Sequence, residues 1–290
     1  MAGLVMPRNL VEAAKREGRA GWLASLPANV AELKQLWSLE IGAPFQPGGQ
    51  TAWVAPARDR TGTELVLKIV WPHPEAAHEA AGLATWRGRG TVALHAAEHL
   101  DGASALLLER CVPGTALSFR PEAEQDSVTA GLLLRLWIEP AGGHGFRPLS
   151  EMCAQWADGF EAKLAAGNRR IDPGLAREGI ALWRLLPTTA ERNVLLCTDL
   201  HAGNVLAAER EPWLVIDPKP YIGDPTYDVL QHMLNCDQRL HADPLGFIRQ
   251  MAQLVQLDAG RLRVWLFARC VLESAEFPEL ADVADKIAPP

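Results

Sequence analysis

The chain has 290 residues, 48% of them hydrophobic and 22% charged, with a formal net charge of -7, which suits a globular enzyme of two lobes and excludes a disordered or fibrous protein. Lys and Arg are not clustered, so nucleic acid is not an expected partner, and the acidic balance suits a cationic small molecule better. No apolar run approaches the roughly eighteen residues of a spanning helix, and Met1–Leu10 lacks a basic start followed by an apolar stretch, so a cytoplasmic protein with no membrane partner is expected.

In chain order, Arg8–Arg19 and Pro27–Trp37 have helical apolar spacing, and Pro44–Gln50 is a loop rich in Pro and Gly. Thr51–Ala55 and Glu64–Val70, separated by the turn-like Arg58–Gly62, predict a strand hairpin. Pro74–Arg87 predicts a helix with Pro in its first turn. Thr91–Leu100 and Ala103–Arg110 form a second predicted hairpin around Asp101-Gly102. Pro113-Gly114 then breaks the chain. Helical period dominates afterwards, over Glu122–Ile138, Leu149–Ala166, Pro173–Leu186, Tyr227–Gln238, Pro244–Gln256 and Arg261–Glu273. Asn193–Leu196 and Trp213–Ile216 are short apolar runs that predict a pair of strands flanking a loop. The expected architecture is α+β: residues 1–112 form a small antiparallel-sheet lobe with N-terminal helices, and residues 113–290 form a mainly helical lobe.

That loop carries the chemistry. In Cys197-Thr198-Asp199-Leu200-His201-Ala202-Gly203-Asn204 an Asp precedes an Asn by five residues, and Asp217 closes the next apolar run. Transfer of a γ-phosphoryl group needs a carboxylate to orient the attacking hydroxyl and take its proton, and oxygen ligands to hold Mg²⁺ against the phosphates. Asp199 is the candidate catalytic base, and Asn204 and Asp217 are the candidate metal ligands. Asp228 reads as a structural anchor of the loop, and Asp224 as a turn or helix cap.

Lys68 sits near the end of a strongly apolar strand, where a charge is costly without a partner. Glu79, eleven residues on, is the expected partner, with Glu75 as the runner-up. Gly49, Gln50 and Thr51, ahead of the first strand, stand where a turn's N–H groups can approach phosphate, although no G-x-G-x-x-G is present. Leu106–Gly114 reads as a strand entering a hinge, with the Glu109 carbonyl and the Cys111 N–H facing adenine. His95-Ala96-Ala97-Glu98-His99 matches an H-x-x-E-H string, but zinc ligation from that spacing needs a helix and this run lies among strand-like segments. The five cysteines are scattered without a C-x-x-C pair, so neither a disulfide framework nor a zinc site is expected. The ten tryptophans read as core residues.

The order Lys68, Glu79, Asp199, Asn204, Asp217 resembles that of protein-kinase-like enzymes. With Trp71–Glu79, Trp213–Lys219 and Gly223-Asp224-Pro225, the chain is similar over nearly its whole length to aminoglycoside phosphotransferase-type small-molecule kinases, most of all streptomycin 6-kinases and hydroxyurea phosphotransferases. The resemblance implies a two-lobed protein-kinase-like fold, ATP with Mg²⁺, and phosphorylation of a small-molecule hydroxyl; a monomer or weak dimer is expected. One departure is Cys197-Thr198, where the family has His-Gly. Ten residues separate Asp217 from Asp228, too few for the activation segment that docks peptide substrates, so a small acceptor is expected, with Glu273 and Asp158 as contacts if it is cationic. Two other readings stand beside this: a kinase of another small metabolite, and a catalytically inactive nucleotide-sensing protein.

Overall fold

Two hairpins organise the first part of the chain. The computed structural model describes residues 4–167 and 171–289, in two units: Met1–Gly114 with Ala208–Leu214, and Thr115–Ala207 with Val215–Pro290. The first unit runs α1 (Arg8–Arg16), α2 (Ala20–Leu36), β1 (Glu40–Ile41), β2 (Ala52–Arg58), β3 (Glu64–Val70), a 3-10 turn over Pro74–His78, α3 (Glu79–Trp86), β4 (Leu94–Leu100) and β5 (Ala103–Glu109). Its antiparallel sheet has the order β1-β2-β3-β5-β4.

The central strand β3 is buried along most of its length, as its unbroken apolar run requires. Lys68 lies opposite Val54 on one side and Leu106 on the other. Leu10, Leu26 and Leu33 of the two N-terminal helices share a core with Trp53, Leu67, Ile69 and Trp71, and Trp22 meets Trp71 edge-on at 5.1 Å. α2 begins earlier than expected and runs through Pro27; burial of Trp22, Leu26 and Leu33 compensates for the backbone bond that proline cannot make. The helix expected over Pro74–Arg87 changes character at Glu79, and Arg87 ends it in the left-handed region with φ 53°.

The second unit is mainly helical: α4 (Glu122–Leu136), α5 (Leu149–Ala165) and α6 (Pro173–Leu185) precede the short strands β6 (Val194–Leu196), β7 (Val205–Ala207) and β9 (Tyr221–Gly223), while β8 (Trp213–Val215) begins in the Ala208–Leu214 segment of the first unit. Then follow α7 (Pro225–Asp228), α8 (Leu230–Leu234), α9 (Asp237–Ala242), α10 (Pro244–Val255), α11 (Ala259–Glu273) and α12 (Leu280–Ile287), the last not expected from the sequence. Trp183, Tyr227 and Trp265 pack edge to face with centroids 5.4 to 5.8 Å apart. Gly179 lets α6 close onto α11, because a Cβ there would lie 2.5 Å from Val271 Cγ1.

Both runs flanking the loop are strands, as expected: β6 pairs with β9 and β7 with β8, and Asp217, between β8 and β9, has φ 53°. One expectation needs correction. The single helix expected over Tyr227–Gln238 is three short ones. Asn235 bonds its side-chain amide back to the Gln231 carbonyl at 2.8 Å, and Cys236 leaves helical geometry, so the helix ends there. Among the described residues no helix is long and apolar enough to cross a membrane.

Candidate active site

The loop after β6 is built around one buried carboxylate. Asp228 Oδ2 accepts from the Cys197 N–H at 2.9 Å and from Trp137 Nε1 at 3.0 Å, while Oδ1 accepts from the Thr198 N–H at 2.6 Å. It is the anchor the sequence suggests. Burial pushes its pKa up to about 6, against the three N–H donors that favour the ionised form. Cys197 and Thr198 thereby hang from the start of the helical segment, and the next residue, Asp199, is presented on a fixed backbone.

The departure at Cys197-Thr198 has a structural account. Thr198 has φ 52°, a region glycine enters freely and a β-branched residue seldom does. Two bonds hold it there: its N–H to Asp228 and its hydroxyl, which donates to the Lys219 carbonyl at 2.6 Å. Cys197 is fully buried, and burial with the nearby Asp228 charge pushes its thiol well above the ordinary range, so it is a packing residue.

Asp199, Asn204 and Asp217 are brought together by the backbone. Asn204 Nδ2 donates to the Asp199 carbonyl at 3.0 Å and reaches Oδ2 at 3.4 Å. The Asn204 carbonyl accepts from the Ile216 N–H at 2.9 Å, which ties the loop to the residue before Asp217. Asp217 and Thr198 share the left-handed backbone region; such conformations cluster where geometry serves function. A further residue joins the group: Lys219, whose ammonium donates to Asp199 Oδ2. A lysine set between Pro218 and Pro220, two residues past a candidate metal carboxylate, was the available signal for it.

In the first unit, Lys68 Nζ contacts both Glu79 oxygens at 2.7 Å, with Lys68 7% and Glu79 2% exposed. Glu79 is therefore the partner, while Glu75 lies on the preceding 3-10 turn. Removing one member of so buried a pair costs roughly 3–5 kcal/mol. The Gly48–Gln50 turn is fastened to α1: Asn9 bonds the Pro47 and Gly48 carbonyls, and Arg16 bonds the Gln50 side chain at 2.9 Å. Gly48 has φ 82° and a Cβ there would lie 2.4 Å from Pro7 Cβ. Gly49 is open on its Cβ side, and Thr51 accepts from the Trp71 N–H at its carbonyl.

The Glu109 side chain is committed to structure. Arg210 grips both its oxygens at 2.9 and 2.7 Å and also bonds the Gly88 and Thr91 carbonyls, while the Ala93 N–H reaches Oε2 at 2.9 Å. Burial pushes the Glu109 carboxyl up, but these donors outweigh it and hold the group below its ordinary range. Cys111 is half-buried, and burial raises its thiol to about 11. His95 and His99 lie in β4 on its exposed face, a strand geometry unlike the helix that H-x-x-E-H zinc ligation uses.

The sequence matches the aminoglycoside/hydroxyurea antibiotic resistance kinase family over residues 42–280. The chain belongs to this family. This small-molecule kinase is similar to a hydroxyurea phosphotransferase of Kitasatospora aureofaciens, 38% identical over 278 residues that cover 92% of the chain and 78% of the relative. A streptomycin 6-kinase of Streptomyces griseus is 35% identical over 279 residues, covering 91% and 88%. Among solved structures, the kinase resembles a macrolide 2'-phosphotransferase of Brachybacterium faecium (TM-score 0.56, 17% identity, 92% and 99% covered). It also resembles a choline kinase of Streptococcus pneumoniae (TM-score 0.58, 11% identity, 92% and 93% covered). The fold is α+β and protein-kinase-like.

The two acceptor contacts suggested from the sequence each form an ion pair in the kinase. Glu273 pairs with Arg269 at 2.7 Å and lines a cavity of about 330 Å³ with Trp156, Phe160, Lys163, Leu272 and Glu276. Asp158 is exposed and pairs with Arg184 at 2.7 Å.

Proposed function

We propose that this kinase transfers the γ-phosphoryl group of ATP, with Mg²⁺, to a hydroxyl of an aminoglycoside or aminocyclitol of the streptomycin type. The observation that carries the reading is the Asp199 carboxylate, set by Asn204 and Lys219 on a loop pinned by Asp228. Residues 1–112 serve as the nucleotide-binding lobe in this reading, and residues 113–290 carry the catalytic loop and the acceptor site.

The residues present suit magnesium. Asp217 supplies a carboxylate, and because Asn204 turns its Nδ2 onto Asp199, its side-chain oxygen is the atom left for a hard cation. Mg²⁺ takes one or two such oxygens together with waters and phosphate oxygens. Among the described residues no three His, Cys, Asp or Glu side chains form a cage of their own. When bound, the ion neutralises charge on the transferring phosphate. Lys68, fixed by Glu79, holds the α- and β-phosphates, and the backbone N–H groups of the Gly49-Gln50-Thr51 turn cover them. The Glu109 carbonyl and Cys111 N–H take the adenine edge. Asp199 orients the acceptor hydroxyl and accepts its proton, a contribution of about 10²–10⁴-fold.

Hydroxyurea is the second acceptor to consider, on the strength of the 38% identity to a hydroxyurea phosphotransferase. The test is transfer of labelled γ-phosphate from MgATP to streptomycin and, separately, to hydroxyurea, with Asp199→Asn as control. Product with streptomycin, and its loss in Asp199→Asn, is expected. Wild-type rates in Asp199→Asn would remove Asp199 from the chemistry, and product with hydroxyurea alone would replace the acceptor.

A further inference from the structure

Lys219 is held at three points. Its N–H donates to the Cys197 carbonyl at 2.8 Å, its own carbonyl accepts from Thr198 Oγ1 at 2.6 Å, and its ammonium donates to Asp199 Oδ2. The two backbone bonds fasten Lys219 to the residues that Asp228 fixes, so the ammonium is carried by the same frame that carries Asp199. The pair is partly open to solvent, with side-chain exposures of 26% for Lys219 and 16% for Asp199. An ion pair of that kind adds little to folding, which turns attention to what it does for geometry.

Both donors on the Asp199 carboxylate converge on one oxygen. Lys219 Nζ and, more weakly, Asn204 Nδ2 at 3.4 Å address Oδ2, and Oδ1 accepts no hydrogen bond among the described residues. A carboxylate fastened through one oxygen presents the other in a fixed direction. We propose that Lys219 is a positioning residue for phosphoryl transfer: by anchoring Asp199 Oδ2 it makes Oδ1 the oxygen that receives the acceptor's proton. The inference rests on the phosphotransferase reading above. In the step, the acceptor oxygen bonds to the γ-phosphorus, the bridging P–O bond breaks with its electron pair going to the leaving nucleoside diphosphate, and the hydroxyl proton passes to Oδ1. Misplacing a catalytic group by an ångström costs about 10²-fold, so a carboxylate released from its anchor lowers turnover without weakening nucleotide binding.

The test compares Lys219→Met, which keeps both backbone bonds and the apolar stem, with Lys219→Arg, which restores a cationic donor. On the full chain with MgATP, transfer to streptomycin and hydrolysis by water are both measured, and crystal structures of the wild type and Lys219→Met are solved. Lys219→Met is expected to lower kcat about 10²-fold with KM for ATP unchanged, Lys219→Arg to recover most of the loss, and the Asp199 carboxylate to rotate in Lys219→Met. Undiminished kcat in Lys219→Met, a loss confined to KM for ATP, or an Asp199 carboxylate that keeps its orientation without the ammonium each overturns the proposal. If the wild type fails to phosphorylate streptomycin while hydrolysis still depends on Lys219, the acceptor reading alone falls and the positioning role stands.

Discussion

Thr198 combines a strained backbone with a hydroxyl bond that offsets the strain, and two substitutions separate these effects. Thr198→Val keeps the shape, the β-branch and the φ of 52° but removes the hydroxyl that donates to the Lys219 carbonyl at 2.6 Å. Leaving a part-buried carbonyl without its donor costs about 1–2 kcal/mol. Thr198→Gly loses the same bond yet relieves a left-handed conformation that costs a non-glycine residue about 1–2 kcal/mol, against roughly 0.5–1 kcal/mol for the added freedom of glycine in the unfolded chain. Glycine should therefore exceed valine in stability by about 0.5–1 kcal/mol and stay close to the wild type. At roughly 2–4 °C per kcal/mol for a chain of this size, melting temperatures followed by tryptophan fluorescence should fall by about 2–8 °C for Thr198→Val and by less for Thr198→Gly. A valine variant as stable as the wild type would show that the hydroxyl bond contributes nothing. A glycine variant less stable than valine would show that the backbone is not strained.

Asp217→Ala should abolish Mg²⁺-dependent phosphoryl transfer, and unaltered turnover across a metal titration would assign the ligand role to another residue. Arg210→Met should destabilise the first unit through Glu109, whose carboxyl the folded protein holds below its ordinary value of 4.5. Because the folded state binds that proton less tightly, the stabilisation is fully present above about pH 4.5 and is lost as pH falls through the lower folded value. The gap in melting temperature between wild type and Arg210→Met should accordingly narrow in acid, and a gap that widens there would contradict the assignment.

The features legible in the sequence were those whose cause is local. The Asp101-Gly102 turn, the alternation around it and the lysine inside an apolar strand each carry their own signal, and so do the carboxylates at the ends of β6 and β8. Lys68 and Glu79 could be paired in advance because a buried ammonium requires an anion and the next helix offers one. What escaped depends on backbone geometry that no residue type announces. Asp217 and Thr198 adopt positive φ without being glycine, so the pairing of β6 with β9 could not be read from spacing, and for the approach of Lys219 to Asp199 the only signal was its place two residues past Asp217. Arg210 meets Glu109 across 101 residues, and an exposed arginine gives no hint of so distant a carboxylate.

The return of Ala208–Leu214 to the first unit bears on how the chain is made and handled. During synthesis, which favours folding of N-terminal segments as they emerge, the five-stranded sheet leaves the ribosome long before Arg210 does. Until then the Gly88 and Thr91 carbonyls and the Glu109 carboxylate lack the guanidinium that joins them in the finished protein. A fragment ending at Gly114 would be fixed permanently in that incomplete condition, so an expression boundary drawn there yields a sheet with its own fastening missing. A split that respects the fold would have to bring the Ala208–Leu214 segment along, as a graft or as a peptide added in trans.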